Sequence, residues 1–174
     1  MIDLARFATD RGIRHVLFSF TDLFGVQRAK LVPVAAVQEV AAAGAGFAGF
    51  AAWLAMTPAD PDVLGLPDTS SLMVLPWQRE VAWVATDLQV GGLPLEQSPR
   101  WVLKCQLERA VRLGYHFRTG VEAEFFLLQP GGAAIADGDD SQSKPCYDQL
   151  ALMRQYPLIG GLLDGMGELG WGPY

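Results

Sequence analysis

The stretch "IRHVLFSFTDLFGVQRAKLVP", residues 13–33, decides how the first half of the chain folds. "IRHVLFSF" (13–20) is almost wholly apolar, with the aromatic and β-branched residues that fit a pleated surface. "VQRAKLV" (26–32) returns to the same chemistry, and "TDLFG" between them supplies Asp and Gly for an ordinary turn. The three pieces read as a β-hairpin. Pro33 then opens an Ala-rich helix, "VAAVQEVAAAG", which Gly44 ends. Upstream, Asp3 is placed to cap a short helix carrying Leu4 and Phe7, and Gly12 closes it.

Further along, "GAGFAGFAAWLAMTPADPDVLGLPDTSS" (44–71) has no sustained period. It reads as a long ordered loop with room for one short strand, and loops of that length tend to be functional or mobile. "LMVLP" (72–76) and "VAWVATDL" (81–88) are strands. After the connector "LPLEQSP", Ser98 and Pro99 start a helix in which Val102, Leu103, Leu107, Ala110, Val111 and Leu113 recur at helical spacing. Gly114 stops it. "YHFRT" (115–119) and "VEAEFFLL" (121–128) read as a strand pair, and residues 129–144 as a polar loop. Pro157 begins a last helix with Leu158, Ile159, Leu162, Leu163, Met166 and Leu169 on one stripe. The fold class expected is α+β, with one domain over residues 1–95 and the start of a second over 97–174. Two strands and two helices are too few for a finished domain, because a two-stranded sheet is marginal by itself.

Composition bounds the function. The chain has 174 residues, 51% hydrophobic and 18% charged, so it can bury a sizeable core. A net charge of −6 argues against a nucleic-acid partner, which needs a positive surface. Cys105 and Cys146 are too few for a disulfide framework or a zinc site, which fits a reducing cytoplasm. "MIDLARFATDRG" has no secretory leader pattern, and no window reaches the ~18 apolar residues of a membrane span. The expectation is a soluble cytoplasmic protein that meets neither membrane nor nucleic acid.

Chemistry concentrates in "GVEAEFFLLQPGG" (120–132). On a strand, Glu122 and Glu124 would share one face of an otherwise apolar ribbon. Adjacent carboxylates repel, and burying one unpaired is costly. A hard divalent cation between them, Mg²⁺ or Mn²⁺, resolves the conflict, since no His or Cys stands near to favour zinc or copper. The plainer alternative is a solvated sheet edge. Asp60, Asp62 and Asp68 lack the Gly and closing Glu of a calcium loop and read as structural. His15 and His116 lie alone in expected strands, and Arg28 with Lys30 reads as a solvated face.

Taken in order, "DLFGVQRAKLVP", "MTPADPDVLGLPD", "SLMVLPW", "EQSPRWVLK" and "TGVEAEFFLL" resemble the glutamine synthetase family, nearest its type III-like (GlnT) branch of glutamate–ammonia and glutamate–amine ligases. The resemblance implies a β-grasp-like N-terminal domain, followed here by the truncated start of the catalytic domain. It also implies ATP as co-substrate, glutamate with ammonia or a small amine as substrates, and a homo-oligomeric double ring. By the same resemblance Glu122 matches a ligand of the ion that orients the nucleotide phosphates. Glu124 matches a ligand of the ion at the glutamate end. No catalytic residue is identifiable in this segment, because the family's further ligands, His and Arg residues lie beyond it.

Taken alone, the polypeptide reads as an inactive N-terminal fragment; a non-catalytic assembly module or pseudoenzyme remnant is the other expectation. One departure matters. The acid of the family's Asp-Gly-Ser-Ser loop, which helps bind ammonium, is absent, and position 46 is Gly. The aromatics Phe47, Phe50 and Trp53 nearby would suit an amine with a hydrocarbon part, or are simply core.

Overall fold

A computed structural model describes residues 3–174, which form two compact units meeting at Phe117/Arg118. The first opens with α1 (Leu4–Asp10), capped as expected: the Asp3 carboxylate accepts from the Arg6 N–H at 3.0 Å. The hairpin forms as β1 (His15–Thr21) and β2 (Gln27–Pro33), with Phe18 opposite Lys30 and Phe20 opposite Arg28. α2 (Val34–Ala43) follows and ends at Gly44, whose φ of +89° suits a residue without a side chain. The supposed long loop holds two short strands rather than one, β3 (Ala45–Phe47) and β4 (Val63–Pro67). They were hidden because three to five residues around glycines show no readable alternation.

β5 (Met73–Leu75), the long β6 (Gln78–Val90) and the two-residue β7 (Leu93–Pro94) complete a seven-stranded sheet of order β2-β1-β6-β4-β3, with β5 and β7 also on β6. β6 runs parallel to β1 at the centre, a pairing that requires a long crossover, here the path through α2 and β3–β5. This is the α+β arrangement expected. Even-numbered residues of both central strands point into one core: Val16 and Phe18 from β1, Ala82 and Val84 from β6. Leu4 and Ala8 of α1 and Val37 of α2 cover them. Further along the same face Phe20, Leu54, Val63 and Leu88 form a second cluster, with Phe47 packed against both. Gly65 on β4 lets the strands close here, since an added Cβ would lie 2.8 Å from the Thr86 hydroxyl.

The hairpin turn is not the ordinary loop its composition suggests. Asp22 is buried, and its Oδ1 accepts from the N–H groups of Phe24 and Val26, both at 2.9 Å. Arg28 Nε donates to Oδ2 at 2.9 Å. Arg28 therefore belongs to the turn instead of a solvated face. Burial by itself would raise the Asp22 carboxyl, but the bonds from Val26, Arg28 and Phe24 outweigh it and hold the group below the usual carboxylate range.

α3 (Pro99–Arg112) begins at Ser98 and Pro99 as expected, but its apolar stripe does not dock it. Val102, Leu103, Val111 and Leu113 are exposed. The opposite, basic edge faces the sheet. Arg100 bonds Asp87 Oδ1 at 3.0 Å and also Asp68, while Lys104 reaches Asp87 Oδ2 at 2.5 Å and lies 3.6 Å from Asp68. Two cations one helical turn apart thus meet two carboxylates, one just beyond β4 and one on β6. Asp68 is held below the ordinary carboxylate value first by the Ser70 hydroxyl and then, despite partial burial, by the Ser70 N–H, Lys104 and Arg100.

The second unit contains α4 (Gln149–Arg154) and α5 (Tyr156–Glu168), with Pro157 in the first turn of α5 as expected. α4 is an addition to the sequence reading. Its signal was Asp148, which caps it by accepting from the Leu150 and Ala151 N–H groups. No helix among the described residues is long and apolar enough to cross a membrane.

Two outcomes follow for stability. Phe18→Ala should cost the first unit about 3–5 kcal/mol in urea unfolding, the price of an aromatic lost from a close-packed core. Because the Asp22 carboxyl is depressed in the folded state, its stabilisation is complete above its unfolded value of about 3.9 and lost as pH falls below that. Asp22→Asn should therefore lower the urea midpoint at pH 7 and flatten its fall between pH 4 and 2. An equal fall in variant and wild type would contradict this role.

Candidate functional site

Glu122 and Glu124 lie on a ribbon, not a strand. Residues 115–127 carry no helix and no paired strand, so the expected pair "YHFRT"/"VEAEFFLL" does not form and His116 lies outside any strand. The only pairing is a bridge from Leu128 to Ile135, closed around the turn at Gly131 and Gly132 by Ala136 N–H to the Leu127 carbonyl at 2.8 Å. The physical reason is simple. Alternation specifies which face a residue takes, but a strand exists only where another segment accepts its hydrogen bonds.

Both carboxylates are exposed on this ribbon. Glu122 lines a groove of about 600 Å³ with Val121, Leu163, Met166, Trp171 and Tyr174, and Glu124 is not among the groove's lining residues. No third ligand joins them: among the described residues no group of three His, Cys, Asp or Glu side chains is placed to hold a metal. Two carboxylates nevertheless match what Mg²⁺ takes from a protein when waters and substrate phosphates fill its other positions.

A second hollow of about 280 Å³ lies between the end of the ribbon and the helices of this unit, lined by Phe125, Phe126, Ile135, Leu152 and Ile159 together with Asp137 and Asp140. Arg154 Nε donates to Asp137 at 2.7 Å, and this bond first of all holds the Asp137 carboxyl low and the Arg154 guanidinium high.

In the first unit the three aromatics singled out by sequence divide. Phe47 is half-buried, edge-on to Phe20 at 4.8 Å between centroids. Phe50 and Trp53 are exposed, and Trp53 meets the exposed Phe24 edge-on at 5.3 Å. The loop that presents them is strained, with φ of +48° at Trp53 and +54° at Ala55. The buried Leu54 between them pins it, its carbonyl accepting from Gln97 Nε2 at 3.1 Å. Gly46 lies in β3, and Asp60 closes its own turn by accepting from Thr57. That agrees with its structural reading.

No family model matches the chain. A glutamine synthetase of Rhizobium meliloti (strain 1021) is 51% identical over 173 residues, covering 99% of this chain and 40% of the relative. A glutamate–methylamine ligase of Methyloversatilis universalis is 38% identical, covering 95% of this chain and 38% of the relative. Among solved structures, a GmaS/ADP complex is 55% identical with a TM-score of 0.97, covering 100% of this chain and 40% of that one. The chain thus spans about 40% of the length of the curated relatives it matches.

If the two carboxylates serve a ligand and not the fold, removing their charge should leave folding untouched. Replacing both, Glu122→Gln with Glu124→Gln, should change the unfolding free energy by no more than about 0.5 kcal/mol, as for other exposed positions. A loss several times larger would make the pair structural.

Proposed function

We propose that this chain, homologous along its whole length to glutamine synthetases and glutamate–methylamine ligase, supplies the β-grasp-like part and the first metal-binding segment of an ATP-dependent glutamate–amine ligase. The observation that carries the reading is sequence identity of 51–55% over essentially every residue present, the segment with Glu122 and Glu124 included. In the reaction the glutamate γ-carboxylate takes the terminal phosphoryl group of ATP, and ADP leaves. The acyl phosphate now has a good leaving group. The amine attacks its carbonyl carbon, phosphate departs, and the amine nitrogen gives up a proton as the amide forms.

Glu122 and Glu124 would hold Mg²⁺ or Mn²⁺, which when bound offsets the negative charge of the phosphates. Glu122 would serve the ion on the nucleotide side, and Glu124 the ion on the glutamate side. The protein's own share would be positioning, since carboxylates held in place by a completed site spend no reorganisation at the moment of transfer. The intact enzyme would work in the cytoplasm as a homo-oligomeric ring. Ammonia is the first acceptor to consider.

A second acceptor, methylamine, has support of its own. Phe50 and Trp53 are not core, and position 46 carries no acid to bind ammonium. An apolar acceptor-side surface suits a methyl group better than a bare ammonium ion.

The test joins the chain to the remaining part of a relative and measures phosphate release. Glu124→Ala should abolish metal-dependent ligation, and activity within about tenfold of the parent would remove the assignment. Comparing ammonium with methylamine as acceptor in the same assay separates the two readings. A clear preference for ammonium removes the second.

A further inference from the structure

Two consecutive carbonyls of the aromatic loop are taken by donors from elsewhere in the first unit. The Trp53 carbonyl accepts from the Leu23 N–H at 3.2 Å, and the Leu54 carbonyl from Gln97 Nε2 at 3.1 Å. They fall where the backbone is least able to hold itself. Trp53 and Ala55, with φ of +48° and +54°, flank Leu54, and neither is a Gly or Asn that adopts this conformation readily. A Cβ crowds the backbone there, so a loop left to itself relaxes towards negative φ. Contacts from outside the loop keep it in place.

Both contacts come from fixed supports. Leu23 sits in the hairpin turn that Asp22 organises through the N–H groups of Phe24 and Val26. The Phe24 ring of the same turn meets Trp53 edge-on. Gln97 stands between Leu95, which is buried in the same cluster as Leu54, and the buried Ser98 that precedes α3. The Leu95 N–H donates to the Leu88 carbonyl of β6, and the Ser98 N–H to the Leu95 carbonyl, both at 2.9 Å. The two donors differ in kind. Leu23 offers a backbone N–H that almost any residue would supply, whereas Gln97 offers a side-chain amide.

We propose that Gln97 is a positioning residue for the acceptor amine: by holding the Leu54 carbonyl, it keeps Trp53 and Phe50 in the arrangement that meets a methyl group. The inference rests on the reading of these aromatics as the acceptor-side surface for methylamine. A single methyl is recognised only through close contact, and dispersion falls steeply as a gap opens. Ammonium has no methyl to place, so its use is indifferent to where the rings stand. A loosened loop therefore loses methylamine selectively.

Gln97→Met keeps most of the side-chain bulk and removes the donor. In the chain itself, exchange of the Leu23 amide should speed up about tenfold, while amides of β1 and β6 stay protected. In the joined ligase described above, KM for methylamine should rise about tenfold, with kcat and the KM values for ammonium, glutamate and ATP within about twofold of the parent. Adding Ala55→Gly, which lifts the steric cost at one left-handed position, should return both readings towards the parent. Unchanged Leu23 exchange overturns the brace. Faster exchange with no rise in the methylamine KM, or with an equal rise for every substrate, overturns the positioning role and leaves Gln97 purely structural. Failure of Ala55→Gly to rescue also overturns it, because Gln97 then does not act through the strained loop. A parent ligase that does not use methylamine removes the acceptor reading and this role with it, while Leu23 exchange separately reports the brace.

Discussion

A β-strand is stable only as one member of a hydrogen-bonded pair, and that condition separates the two units of this chain. In the first, β6 is paired along nearly its whole length: β1 runs parallel to it, β4 and β5 antiparallel, and β7 pairs with its end. Every other element of that unit is arranged around this strand. α1 and α2 cover the face that carries Ala82 and Val84, and α3 is tied to its Asp87. In the second unit a ribbon of similar strand character finds no partner among the described residues, and its Phe125 and Phe126 are exposed.

Charge is handled differently in the two places. Each carboxylate that the first unit takes out of water is matched by donors: Asp22 by two backbone N–H groups and Arg28, Asp68 and Asp87 by Arg100 and Lys104. These groups are consumed by the fold. Glu122 and Glu124 are matched by nothing comparable among the described residues, and Glu122 stands beside a groove. Carboxylates left over by the fold are not committed to holding it together, unlike Asp22, Asp68 and Asp87.

The aromatic loop of the first unit follows the same logic. A strained backbone at Trp53 and Ala55 is tolerated because Leu54 is buried between them, and the result is a Trp and a Phe held toward solvent.

Local chemistry determined much from the sequence alone. Asp3, Gly12, Pro33, Gly44 and Ser98-Pro99 marked helix boundaries because caps and φ preferences act over a few residues. The hairpin was legible for the same reason. The alternation at Glu122 and Glu124 singled out the candidate site, and the order of five motifs pointed to the family. What only the tertiary structure decided were relations between distant residues. The Asp22 turn depends on an arginine across the hairpin, and the seating of α3 on its basic edge depends on Asp68 and Asp87, whose positions come from sheet pairing. The ribbon at 121–126 is the opposite case: its sequence reads as a strand, but a ladder belongs to two segments, and no segment among the described residues pairs with it.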